Sequence, residues 1–255
     1  MENKKIRVTI WNEFRHERKN EAIRAIYPDG IHAVIADALN ECGDIETRLA
    51  ALDDPDQGLP DEVLENTDVL VWWGHMAHGE VNDALVEKIR QRVYAGKMGF
   101  CPVHSAHHSK PFKAILGCTG NLSWGADQKE LIWNLCPTHP IAAGIPDHFE
   151  LELEEMYGEP FYIPTPDELI FGGWFEHGNM MRSGCTFRRG AGKIFYFQPG
   201  HESCRSFHNP YVQKVLTNAV RWAAPTEMVI KRPTDCPQRR NPIDELNEAK
   251  ANKAE

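Results

Sequence analysis

The sequence predicts a doubly wound α/β fold, and three observations carry that prediction. Strand-like and helix-like segments alternate over the first 116 residues. One strand, Val69-Leu70-Val71-Trp72-Trp73, is continuously apolar, as suits a parallel strand covered on both faces. The histidines gather just after strands rather than on them.

The elements follow in chain order. Ile6 to Trp11 is rich in β-formers and reads as the first strand. Asp29 can cap a helix from about Gly30 to Glu41, whose Ile31, Val34, Ile35, Ala38 and Leu39 share one face, with Gly43 as its stop. Ile45 to Leu49 is a short second strand, and Asp68 leads into the Val69–Trp73 run, which Gly74 ends. Val81 to Tyr94 repeats Leu85, Val86, Ile89 and Val93 at helical spacing up to Gly96, and Met98 to Val103 is the next strand.

The second half is richer in strands. Glu150 to Leu153 alternates as a half-exposed strand does. Leu169–Phe175 and Met180–Phe187 read as a strand pair interrupted at Glu176–Asn179, and a turn at Arg188–Gly192 leads into Lys193–Phe197. Asn209-Pro210 opens a last helix, Tyr211 to Trp222. This gives one α/β domain over residues 1–224 and a polar tail over 225–255 that wraps a neighbour or frays.

Composition narrows the function. The 255 residues are 42% hydrophobic and 25% charged, which fits a globular chain. The net charge of −9 and the lack of a basic run argue against nucleic-acid binding. No apolar run approaches a membrane span, and Met1–Lys5 leads into a strand rather than a signal-peptide core. The expectation is a cytoplasmic protein with no membrane partner. Seven cysteines without a CxxC pair are then expected to be free thiols, with Cys101 inside a strand.

The twelve histidines are the unusual feature. His16 follows the first strand, His75 and His78 follow Trp73, His104, His107 and His108 follow Val103, and His201 follows the Phe195 strand. If those strands are parallel, all four groups emerge at one carboxyl edge, where such folds place ligands. Imidazole there can hold a divalent cation or move protons. The expected metal ligands are His16, His75, His104 and His201, with Zn²⁺ as the expected ion. His104, Ser105, His107, Glu155 and Glu202 are the candidate catalytic groups: Ser105 as a nucleophile beside His104 or His107, and Glu202, Glu155 or His107 as proton carriers. His139, His148 and His208 read as structural, and His75/His78 could instead serve as helix caps. Trp72, Trp73, Trp124, Tyr157, Trp174 and Phe175 adjoin polar stretches, so they suit the apolar faces of a sugar ring; Trp72, Trp73 and Trp174 could equally be core. The chain has no G-x-S-x-G, H-E-x-x-H, P-loop or G-x-G-x-x-G motif.

Several segments together resemble the trehalose-utilisation (ThuA-like) family: Val8–His16, Tyr27–His32, Asp68–His75, His139-Pro140-Ile141, Gly144-Ile145-Pro146 and Glu154–Tyr157. The resemblance spans about residues 6–224. It implies a flavodoxin-like, class I glutamine amidotransferase-like three-layer sandwich around a mainly parallel sheet. In amidotransferases of that fold, the strand after a Gly-Lys turn delivers a nucleophilic cysteine. Here Gly96-Lys97 leads to Val103-His104-Ser105, so glutaminase chemistry is not expected. Phe197–Glu202 looks like the segment that carries the amidotransferase histidine and glutamate. The resemblance implies a trehalose, disaccharide or keto-sugar ligand. The expected function is a carbohydrate-processing protein, such as a metal-dependent sugar hydrolase or isomerase; the alternatives are a non-catalytic sugar-binding or regulatory module, or a structural subunit. A homo-oligomer is expected.

Overall fold

The computed structural model describes residues 5–226 and 241–253. Strand β1 (Ile6–Asn12) pairs in parallel with β2 (Ile45–Ala51) on one side and β3 (Val69–Trp73) on the other. Strand β4 (Gly99–Pro102) lies parallel to β3, and β9 (Gly192–Phe197) parallel to β4. Beyond β9 the sheet turns antiparallel through β8 (Met180–Arg189), β7 (Glu168–Phe175), β5 (Ser123–Asn134) and β6 (His148–Gly158). The nine-stranded order is β2-β1-β3-β4-β9-β8-β7-β5-β6.

This mixed sheet corrects the expectation of a mainly parallel one. Short turns such as Arg189–Gly192 and Phe175–Met180 can join only antiparallel neighbours, because a parallel return needs a crossover. Strand β5 was not foreseen at all. Irregularities between Gly125 and Asp127 and between Gln128 and Glu130 break the two-residue alternation by which a strand is recognised.

The parallel half is covered on both faces. Val69, Val71 and Trp73 join a core with helices α3 (Ile31–Asn40) and α7 (Pro210–Ala223), while Leu70 and Trp72 join the opposite core with α4 (Asp61–Glu65), α5 (Asp83–Tyr94) and α6 (Lys110–Leu116). That is why β3 is apolar at every position. Trp72 and Trp73 are wholly buried, and Trp72 stacks on Trp11 with ring centroids 3.7 Å apart. Trp174, by contrast, is 52% exposed and is not core.

The helices start where local chemistry satisfies their free N–H groups. Asn82 accepts from Ala84 N–H at the start of α5, and Asn209 accepts from Tyr211 and Val212 at the start of α7. For α3 the expected Asp29 cap is replaced. Gly30 takes the cap position at φ 93, and Ile31 N–H donates to the buried Glu17 carboxylate at 3.0 Å. Glu17 sits on α1 (His16–Lys19), which is followed by α2 (Glu21–Ile26).

The six described cysteines are free, and Cys101 is buried in β4 as expected. Most of the start of the expected tail, residues 227–240, lies outside the described residues. Within the tail, α8 (Pro242–Ala251) is capped by Asn241 and exposed along its length. Among the described residues no helix is long and apolar enough to cross a membrane.

The packing of α5 on β9 leaves no room at Gly192, where a Cβ would overlap the Val93 carbonyl. Gly192→Ala should therefore destabilise the protein by about 1–3 kcal/mol. Urea unfolding checks this, and an unchanged midpoint would show that the contact yields freely.

Candidate functional site

Strands β1, β3, β4 and β9 run the same way, so their carboxyl ends share one edge. The loops that leave that edge carry His16, His75, His104 and His201. The structure brings all four together: ring centroids are 5.2 Å apart for His16–His75, 5.5 Å for His75–His201, 5.4 Å for His104–His201 and 6.0 Å for His75–His104.

Two carboxylates stand among the rings. Glu202 places Oε1 3.1 Å from His16 Nδ1, and Oε2 2.8 Å from His75 Nδ1 and 3.6 Å from His201 Nε2. Glu155 Oε2 lies 3.2 Å from His104 Nε2 and 3.9 Å from His201 Nε2. Tyr157, two residues along β6 from Glu155 and on the same face, brings its hydroxyl 3.3 Å from His104 Nε2.

Other residues hold the loops in place. Glu13, buried just after β1, accepts from the backbone N–H groups of His75, Met76 and Ala77. Glu154, fully buried on β6, accepts from the N–H groups of Gly200 and His201 and from the Ser206 hydroxyl. His104 Nδ1 donates to the Gln198 carbonyl at 3.1 Å. His104 itself adopts φ 51, a left-handed backbone uncommon outside glycine, at the sharp turn after β4.

Electrostatics sort the groups. Burial works against charge on His104, but its hydrogen bond to Glu155 and the nearby Glu154, Glu155 and Glu202 charges outweigh that and raise its pKa. Burial lowers the His201 pKa, with the His104 charge acting the same way. Burial opposes ionisation of Glu202, yet the hydrogen bond from His75 and the surrounding imidazoles bring its pKa down to about 2. Burial likewise opposes ionisation of Glu155, and His104 reverses the sign and lowers it.

The remaining expected groups stand apart from the rings. Ser105 donates its hydroxyl to the Gly74 carbonyl at 2.7 Å rather than to an imidazole. His107 bonds through Nδ1 to the Gly120 carbonyl at 2.6 Å, and burial holds its pKa well below the ordinary value. Of the histidines read as structural, His139 caps a short turn by accepting from Ile141 N–H, and His208 contacts the Ile26 carbonyl. His75 and His78 cap no helix through their side chains.

Sequence reading missed Glu13, Glu154 and Asp127 as site residues. Asp127 lies 3.8 Å from His201 Nδ1. Asp127 and Glu155 are opposed across β5 and β6, a pairing hidden by the irregularity in β5.

The donor set fits a divalent cation. His16, His75 and Glu202, then His75, Glu155 and His201, then His104, His201 and Glu202 each gather ligand atoms within 4.8 Å, as do Asp127, His201 and Cys204. His16 Nε2 is buried without a hydrogen-bond partner. Imidazole and carboxylate together suit Zn²⁺ and neighbouring first-row ions.

Comparison with known proteins agrees with this architecture. The ThuA family, described as trehalose utilisation, matches residues 7–223. A ThuA-like protein from Parabacteroides merdae shares 17% identity over 92% of this chain and 95% of its own, with a TM-score of 0.63. A ThuA-like protein from Bacteroides uniformis shares 17% identity over 88% and 93%, with a TM-score of 0.59. A glutamine amidotransferase from Thermotoga maritima shares 11% identity over 89% and 99%, with a TM-score of 0.50. At these identities the structures attest the fold. No curated protein matches the sequence.

Two outcomes are expected. Glu154→Gln turns an N–H₂ group toward N–H donors, so stability should fall by roughly 1.5–3 kcal/mol in a denaturant titration; no loss would mean that the loop after β9 is held by other contacts. Acid should also destabilise the metal-free protein. Burial, aided by His108, His75 and Lys113, pushes the His78 pKa down to about 3, so its neutral form is favoured only in the folded state. That contribution is complete above the ordinary histidine value of 6.5 and is lost as pH falls toward 3. The Glu202 contribution has the same sign, complete above 4.5 and lost as pH falls toward 2. His104, with its raised pKa, works in the opposite direction but is one group against several. Melting temperature should therefore decline steadily below about pH 6.5; a flat profile from pH 7 to 4 would contradict it.

Proposed function

The chain belongs to the ThuA family, whose description is trehalose utilisation, and from that premise we propose that its histidine–glutamate cluster binds a divalent cation and processes a sugar or disaccharide derivative. The observation that carries the reading is the convergence of His16, His75, His104 and His201 around Glu202 and Glu155. Four separate strand-end segments supply the imidazoles and Glu202, and strand β6 supplies Glu155.

His16, His75 and Glu202 gather closely enough that they would hold the ion, with His201, His104 and Glu155 beside them. Zn²⁺ suits these ligands best. When bound, the cation would polarise a sugar carbonyl or hydroxyl, or activate water. The chain's own groups supply the proton chemistry. Glu155, held ionised by its neighbours, is placed to accept a proton from a sugar hydroxyl or carbon acid. His104, with its raised pKa, is placed to donate one from Nε2, and Tyr157 orients that nitrogen. Such a pair serves either hydrolysis or isomerisation. Ser105, engaged with a carbonyl, is the weakest of the candidate catalytic groups. Leu131, Trp174 and Met180 stand in register across β5, β7 and β8, and the exposure of Trp174 and Met180 there supports self-association as the solution state.

Elemental analysis of untagged protein should find a bound transition metal. His75→Ala and Glu202→Gln should each weaken metal affinity at least about tenfold, a loss of roughly 1.4 kcal/mol or more in binding. Turnover of a disaccharide or keto-disaccharide should fall with it. Metal-free wild-type protein with full sugar turnover, unchanged in His104→Ala, would overturn the reading. Sugar binding without turnover that survives a chelator would support a non-catalytic module instead.

A further inference from the structure

We propose that Asp127, His201 and Cys204 form a second cation site, one with a thiolate ligand, that takes Zn²⁺ or a similar divalent ion and ties strand β5 to the loop after β9. This is a different ion from the one assigned to His16, His75 and Glu202. It does not rest on the sugar reading.

A turn and a strand irregularity build the site. Cys204 N–H donates to the His201 carbonyl at 3.0 Å, a turn that places the two side chains together. The buried Tyr27 hydroxyl donates to the Cys204 carbonyl and fixes it. Asp127 comes from β5, just past the irregularity that follows Gly125. Its carboxylate lies 3.7 Å from Cys204 Sγ and 3.8 Å from His201 Nδ1, and Sγ lies 4.0 Å from Nδ1.

Those three separations are near what one ion requires. Tetrahedral Zn²⁺, with bonds of about 2.0 Å to oxygen or nitrogen and about 2.3 Å to sulfur, keeps its ligand atoms roughly 3.3–3.6 Å apart. A small contraction therefore closes the site. Ser203 supplies a neutral fourth group. Its hydroxyl lies 2.6 Å from His201 Nδ1 and donates to Asp127 Oδ2 at 3.1 Å.

His201 can serve here because its two ring nitrogens face different groups. Nε2 faces Glu202 at 3.6 Å and Glu155 at 3.9 Å, while Nδ1 faces Asp127 and Cys204. The carboxylates beside Nε2 favour a proton there, which leaves the Nδ1 lone pair for a cation. The sulfur sets this site apart from the main cluster, whose groupings offer nitrogen and oxygen alone. As the Sγ–metal bond forms, the Cys204 thiol proton leaves to solvent. Access runs through a groove of about 700 Å³ beside β6, lined by Ser203 and Cys204 and carrying Glu150 and Glu152 against a single Arg205.

Cobalt(II) titration of the full-length, reduced protein tests this, because a thiolate bound to cobalt gives an intense charge-transfer band in the near ultraviolet that nitrogen and oxygen ligands do not. Two ions should bind per chain, one of them with the band, and excess Zn²⁺ should remove it. Cys204→Ala should abolish the band and leave one ion bound. Asp127→Asn, a change at a partly exposed side chain that the fold should tolerate, should weaken the band-forming ion about tenfold. Glu202→Gln should keep the band while the other ion weakens. Cobalt bound to the wild type without the band, a band that persists in Cys204→Ala, or unchanged affinity in Asp127→Asn would overturn the second site and leave the cluster reading standing. If the wild type binds no ion, both fall together.

Discussion

Buried carboxylates that capture backbone N–H groups are the constraint on which the site depends. Glu13 takes three N–H groups from the loop after β3, and Glu154 takes two from the loop after β9. A carboxylate without such partners would be costly to bury. Here the requirement runs in both directions. The carboxylate needs several donors, and a loop turning sharply at a strand end has N–H groups with no sheet partner. Meeting both needs fixes the backbones of His75 and His201, and their rings face each other as a result. Glu17 does the same for the first turn of α3.

The cluster so formed would be unstable as a set of imidazoles alone. His16 and His75 stack with ring centroids 5.2 Å apart, and protonating both would set like charges face to face. Glu202 removes the conflict by bonding to each through a different oxygen. Its low pKa and the raised pKa of His104 have one cause, the crowding of opposite charges where water is largely excluded. Backbone strain collects in the same place. Phe14, in the loop with Glu13, and His104 both adopt φ 51. Such conformations persist only where surrounding contacts over-determine them.

Features set by local pattern were legible in the sequence. The apolar run of β3, the α5 spacing and the helix after Asn209 all appear close to where the pattern placed them. The meeting of the four histidines was legible because it needs only parallel strands and short loops after them. The supporting carboxylates were not, because their partners are far away in sequence: Glu154 lies 46 residues from Gly200, and Glu13 lies 62 from His75. The segment Glu154–Tyr157 carries part of the family resemblance, but nothing in it assigns Glu154 a role apart from its neighbour Glu155. The cap of α3 went to Glu17 rather than Asp29 for the same reason, since a contact made in three dimensions displaced the local rule. The β5 irregularity hid both that strand and the acidic and aromatic side chains it turns toward the cluster.

The mixed sheet, which departs from the sequence expectation, is what completes the site. The parallel half delivers histidines to one edge together with Glu202 and, 3.8 Å from His16, Glu13. The antiparallel half adds Glu155 and Asp127 from β6 and β5, together with Tyr157 and the supporting Glu154. Strand β9 joins the halves, and the loop that follows it carries His201 and Glu202. The site therefore sits on a seam. The turn after β4 is held from across this seam. His104 takes the strained position there and pairs with Glu155 from the antiparallel half.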